Sequence, residues 1–123
     1  MFCIMDMYLA SENRHKLKEV SEILSKHRIL SPADDGVAYA ADETGKTFLD
    51  NALIKARALH SLVGKPVLAD DSGLVVPALG GEPGVYSARY GSEEAGRELS
   101  SEERNAPLLK RMRGMADSAG FFV

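Results

Sequence analysis

Two adjacent carboxylates stand in Ala69-Asp70-Asp71-Ser72-Gly73, directly after the apolar run Pro66-Val67-Leu68-Ala69. Open α/β sheets place ligands at the carboxyl ends of such strands, and neighbouring carboxylates there are costly to desolvate without a metal, a cation or N–H partners. Adjacent side chains on an extended backbone point to opposite faces, so one aspartate is expected to face a ligand and the other to brace the loop. An Asp-rich turn is the plain alternative. A second stretch, Ser11-Glu12-Asn13-Arg14-His15-Lys16, joins an apolar run to a helical pattern. A helix N-terminus offers unpaired N–H groups and partial positive charge, so a hydroxyl, an amide and a lysine there suit a phosphate. On composition alone an ordinary N-cap beside a solvated lysine is the commoner explanation, because neither a Walker loop nor a Rossmann glycine fingerprint is present.

A third stretch, Asp42-Glu43-Thr44-Gly45, adds carboxylates before a second helical pattern. Magnesium takes oxygen ligands, commonly one or two carboxylates plus substrate phosphates, although a solvated turn is the commoner explanation of such a string. Lys55 follows Asn51 by one helical turn, which puts both on one side of that helix; a snorkelling surface lysine is the alternative. His15, His27 and His60 have no ligand spacing, and no Ser-His-Asp or Cys-His arrangement is visible.

The elements that must position these residues form an α/β pattern. Residues 2 to 10, with Phe2, Cys3, Ile4, Met5 and Met7, read as a buried first strand rather than a signal peptide: Asp6 interrupts the run and no basic segment precedes it. Leu17, Val20, Ile23 and Leu24 recur at helical spacing over 14–26, with Asn13 as N-cap. Residues 31 to 46 read as loop with a short strand near 37–40. Thr47 caps a second helix ending at about Val63, closed by Gly64, with Phe48, Ala52, Ala56, Leu59 and Val63 on its apolar face. Strands are expected at 66–69 and 74–76, a turn of unusual backbone angles at 80–84, a polar surface stretch over 91–104, a last helix over 105–115 and an apolar strand at 120–123.

The 123 residues carry 15 Lys and Arg against 18 Asp and Glu, a formal charge of -3, with no basic block. That excludes the basic stripe a nucleic-acid polymer requires and leaves a small phosphorylated ligand open. One cysteine, Cys3, allows no intrachain disulfide and no multi-cysteine metal site, which fits a reducing, cytoplasmic compartment. No run is long enough to span a bilayer. The size fits a single domain, 1–123.

Four ordered strings between residues 9 and 90 resemble the inosine/xanthosine triphosphate pyrophosphatase (Ham1-like) family. Leu9-Ala10-Ser11-Glu12-Asn13-Arg14-His15-Lys16 is similar to its L-A-T-x-N-x-x-K loop, and Glu43-Thr44-Gly45-Lys46-Thr47-Phe48 with Asp50-Asn51-Ala52-Leu53-Ile54-Lys55-Ala56 to its E-T-G-x-T-F-x-E-N-A-x-x-K-A segment. Ala69-Asp70-Asp71-Ser72-Gly73-Leu74 and the run from Leu79 to Tyr90 match A-D-D-S-G-L and L-G-G-x-P-G-V-Y-S-A-R-Y. The resemblance implies a mixed-sheet, two-lobed α/β fold and a homodimer. It also implies Mg²⁺-dependent hydrolysis of non-standard purine nucleoside triphosphates (ITP, dITP, XTP) to monophosphate and pyrophosphate. By position it makes Asp71 the general base and a metal carboxylate, with Asp42 or Glu43 completing the metal site. The substrate would be held by the loop Ser11, Glu12, Asn13, Arg14, His15 and Lys16, by Ser72, and by Lys55 and Arg89.

Several departures accompany the match. Ser11 replaces the usual Thr but keeps a hydroxyl, Glu12 adds negative charge beside the phosphate loop, and Pro77 stands at a commonly acidic position. No G-G-F-G-Y-D-P or S-H-R string follows, although the family reads the purine base with them. The expectation is therefore a fold that stops before its C-terminal part, with a catalytically inactive nucleotide-binding or self-association module as the alternative. A phosphatase using Asp71 as covalent nucleophile finds no supporting motif.

Overall fold

The computed structural model describes residues 3–97 and 99–123; Met1, Phe2 and Glu98 lie outside the described residues, and with them the start of the expected first strand. The described residues divide into two compact units, one up to Asp71 and one from Ser72 on.

In the first unit, strand β1 (Asp6–Leu9) is central, flanked by β2 (Arg28–Leu30) and β3 (Val67–Leu68) in the order β2-β1-β3, all parallel. Parallel neighbours require crossovers. Helix α1 (Arg14–Ile23) lies in the first crossover and helix α2 (Phe48–Val63) in the second. β1 is shorter than expected: Cys3, Ile4 and Met5 are exposed, and pairing begins at Asp6 opposite Arg28. α1 stops at Ile23 because the chain turns there to enter β2, with His27 N–H bonding to Leu24 C=O at 2.9 Å and Met5 N–H to His27 Nδ1 at 3.1 Å.

β2 was not foreseen, whereas the strand expected at 37–40 does not form. Residues 37–40 alternate inward and outward as a strand would, and Val37 and Tyr39 pack against the core, but no neighbouring strand among the described residues pairs with them. α2 has the expected limits. Thr47 Oγ1 accepts from Asp50 N–H at 3.0 Å, and Gly64 closes the helix at φ 63°, where a side chain would be strained. Leu59, fully buried, joins Tyr8 and Ala10 in a core flanked by Leu30, Val63, Val67 and Ala69.

In the second unit, β4 (Leu74–Val75) pairs antiparallel with β5 (Phe121–Phe122), so the expected terminal strand exists and has a partner. Glycines at 80, 81 and 84 adopt positive φ, as the turn-dense composition requires. A single turn, α3 (Ser92–Ala95), precedes α4 (Ser101–Met112). α4 starts earlier than the apolar spacing suggests because Ser100 and Glu103 form a reciprocal capping box, placing the start in a polar stretch. Hydrogen bonding from Arg97, then from Ser100, holds the Glu103 carboxyl down at about 2. Val76, Leu79 and Leu99 are buried here.

Candidate functional site

The strand order makes the carboxyl edge of the first sheet a switch point. From β1 the chain crosses first to one side and later to the other, so the carboxyl ends of β1 and β3 lie next to each other. The register sets Leu9 opposite Leu68, and Ala10 N–H bonds to Leu68 C=O at 2.9 Å. Consequently the loop 11–16 and the pair Asp70-Asp71 leave the sheet side by side. Lys16 Nζ lies 2.8 Å from Asp70 Oδ2.

The loop is ordered by its own side chains. Ser11 Oγ accepts from Asn13 N–H at 3.1 Å, and Asn13 Oδ1 accepts from His15 N–H at 2.9 Å and Lys16 N–H at 3.3 Å. Two helix N-terminal donors are therefore taken by the cap. What the loop retains for an anion is the Asn13 Nδ2 amide, the Ser11 hydroxyl proton and the Lys16 ammonium. Arg14 is held elsewhere, in a two-pronged pair with Asp34 at 2.9 and 2.6 Å; its guanidinium keeps the Asp34 carboxyl below its ordinary value. Glu12 and His15 are exposed.

An anion-binding role for Asn13 is separable from its capping role. Asp caps helices as well as Asn, so Asn13→Asp is expected to leave the melting temperature nearly unchanged. It should weaken nucleotide binding by about 10- to 100-fold, the worth of one charge-assisted hydrogen bond. Calorimetric titration with nucleotide beside a thermal melt checks this; wild-type affinity in the variant would remove Asn13 from the anion site.

The paired aspartates occupy different surroundings. Asp70 is exposed and meets Lys16, while Asp71 is half-buried with its Oδ2 atom shielded from solvent. Lys55 is no surface lysine. Its side chain is 16% exposed and its Nζ lies 3.5 Å from Glu43 Oε1. Asp42 is exposed, its carbonyl accepting from Thr44 N–H at 2.8 Å. No three His, Cys, Asp or Glu side chains converge among the described residues, so Asp42, Glu43 and Asp71 make no closed protein cage.

Spacing did not disclose Tyr39. Its hydroxyl donates to Lys55 C=O at 3.1 Å, and burial first, then the Glu43 charge, pushes it up to about 12. An unfolded tyrosine ionises near pH 10. The stability linked to Tyr39 is thus fully present below pH 10 and is lost as pH rises from 10 through 12. Tyr39→Phe should be less stable than wild type at neutral pH by about 1 kcal/mol, the net worth of the hydrogen bond, with the gap closing and then reversing across that window, because only the wild type loses stability there. Denaturant midpoints measured from pH 8 to 12 test it.

In the second unit, Ser72 lines a cleft of about 420 Å³ with Ser87, Tyr90, Arg104 and Asn105. Ser87 Oγ fixes the start of β4, accepting from Leu74 N–H at 2.9 Å and donating to Gly84 C=O at 2.6 Å. Arg89 is exposed, with its guanidinium 5.3 Å from the centre of the Tyr86 ring, within cation–π range.

The model of the Ham1 family matches residues 7–123. The chain belongs to the Ham1 family. It is 48% identical over 119 residues to the dITP/XTP pyrophosphatase of Treponema denticola, covering 97% of this chain and 61% of that protein. Against the Legionella pneumophila (strain Paris) dITP/XTP pyrophosphatase it is 48% identical over 107 residues, covering 87% and 53%. The Staphylococcus aureus Ham1 protein superposes with a TM-score of 0.81 at 35% identity, over 95% of this chain and 59% of that one. A HAM1 protein from Coxiella burnetii gives 0.79 at 36% identity, over 97% and 60%. The fold is accordingly the α/β fold of Ham1 proteins, and the chain spans about three-fifths of the length of the Treponema denticola, Staphylococcus aureus and Coxiella burnetii proteins.

No helix of the described residues is long and apolar enough to cross a membrane.

Proposed function

We propose that this Ham1-family chain carries phosphate and metal chemistry for hydrolysis of non-canonical purine nucleoside triphosphates such as dITP, XTP and ITP to monophosphate and pyrophosphate. The observation that carries the reading is the meeting of Lys16 with the Asp70-Asp71 loop at the carboxyl ends of adjacent parallel strands. A cationic anion-binding loop and a shielded carboxylate thereby share one edge of one sheet. The relatives, named dITP/XTP pyrophosphatase, supply the substrate class.

Within this reading Asp71 accepts the proton of a water whose oxygen bonds to the α-phosphorus. The bond from that phosphorus to the bridging oxygen breaks, and pyrophosphate departs with the electron pair. Ser11, Asn13 and Lys16 bind the phosphate oxygens, as do Ser72 and Arg89 by their places in the motif, and Lys55 balances the Glu43 carboxylate. The chemistry of the donor set suits magnesium: Asp71 and Glu43 or Asp42 offer hard carboxylate oxygens, and the ion completes its shell with phosphate and water. When bound it would neutralise developing charge on the phosphate oxygens. A homodimer in the cytoplasm completes the reading, and light scattering checks the oligomeric part.

The deciding experiment incubates the purified chain with dITP, XTP and ATP in Mg²⁺ and follows pyrophosphate and orthophosphate separately. Pyrophosphate from the first two substrates supports the proposal. Orthophosphate alone overturns the mechanism, while tight nucleotide binding without release supports a binding module.

A further inference from the structure

Residues 39–45 run along one face of α2 and are tied to it at three successive points. Tyr39 Oη bonds to Lys55 C=O at 3.1 Å, Glu43 meets Lys55 Nζ at 3.5 Å, and Gly45 N–H donates to Asn51 Oδ1 at 2.7 Å. Asn51, Lys55 and Leu59 are one turn apart each, so the same helical stripe that enters the core also grips the carboxylate loop. Gly45 fits this grip only as glycine. A Cβ there would lie 2.6 Å from Asp50 Cβ and 2.7 Å from Asn51 Oδ1, closer than any side chain tolerates.

Asn51 is an unusual occupant of the stripe. It is 1% exposed, and its Nδ2 group has no hydrogen-bond partner among the described residues. A buried donor left unmade costs stability, and an apolar side chain would fill the position without that cost. What Asn51 alone supplies is the acceptor for Gly45 N–H, two residues beyond Glu43. We propose that Asn51 is a positioning residue which, through the Gly45 amide, holds the Glu43 carboxylate against Lys55 in the geometry that receives the divalent cation. This rests on the metal assignment proposed above.

The test uses the full chain with Asn51→Ala and Gly45→Ala. The second variant leaves the buried stripe of α2 intact and disturbs the grip from the loop side. Three quantities are read: exchange of the backbone amide at position 45, the nuclear Overhauser contact between Glu43 and Lys55, and the affinity for Mn²⁺ alone by electron paramagnetic resonance. Both variants are expected to speed exchange at position 45 at least 10-fold, lose the Glu43–Lys55 contact and weaken Mn²⁺ binding at least 10-fold, while Leu59 stays protected. Faster exchange with the contact and Mn²⁺ affinity intact would overturn the positioning role and leave a structural clamp. If wild type binds no Mn²⁺, the metal assignment fails; the Glu43–Lys55 contact then decides alone, its loss in both variants supporting the grip and its survival overturning it.

Discussion

Asp71→Asn is expected to lower the rate of the proposed pyrophosphate release by about 10²- to 10⁴-fold, the range a positioned general base contributes. The substitution keeps the size and shape of the side chain and removes the proton acceptor. It should also leave the fold in place, because Asp71 belongs to neither unit's apolar core and follows a strand already paired with β1. Circular dichroism and melting temperature close to wild type, with nucleotide binding retained within a few-fold, would assign the loss to chemistry. A magnesium titration separates the two roles proposed for the residue. Recovery of rate at saturating Mg²⁺ would make Asp71 a ligand only, and a rate that stays low at every concentration would make it the base.

Leu59→Ala has the largest expected effect on stability. Leu59 is fully buried where α2 meets the sheet and packs with Tyr8 and Ala10 of the central strand and its exit. Removing its isobutyl group costs transfer free energy and leaves a cavity, together about 2–5 kcal/mol. Domains of this size have about 5–15 kcal/mol in all, so the denaturant midpoint should fall sharply. Leu62, near the same helix end and 59% exposed, provides the control, with Leu62→Ala expected within about 0.5 kcal/mol of wild type. The site should fail together with the core. Ala10 joins the Leu59 cluster directly before Ser11, and Ala69 packs against it directly before Asp70, so the packing that Leu59 completes also sets where both loops of the candidate site leave the sheet.

Much of this was legible in the residues themselves, because the signals concerned are local. A cap is a side chain bonding within its own turn, so Asn13 and Thr47 announce α1 and α2 without reference to anything distant. Gly64, Gly80 and Gly81 mark positions where only glycine takes positive φ at little cost. The family strings were equally readable, since a motif is a property of sequence order. β2 was missed for the opposite reason. Three residues, Arg28 to Leu30, have no periodicity long enough to register, and they are a strand only because β1 lies beside them. The segment 37–40 shows the converse: its alternation is that of a strand, yet among the described residues no partner is there to bond it.

Sequence by itself therefore determined the α/β character, the helix caps, the family and the residue types available for phosphate and metal. Tertiary structure alone decided their partnerships. Arg14 stands two positions before Lys16 in sequence but is spent on Asp34, while Lys16 reaches across 54 positions to Asp70. Asn51 looks like a polar residue on a helix, but burial turns its side-chain amide oxygen into the fastening of the Glu43 loop. The reason is that caps and turns are decided within a few bonds, whereas the pairing of a charge depends on which strand ends the sheet brings together, and that is set by crossovers and a shared core.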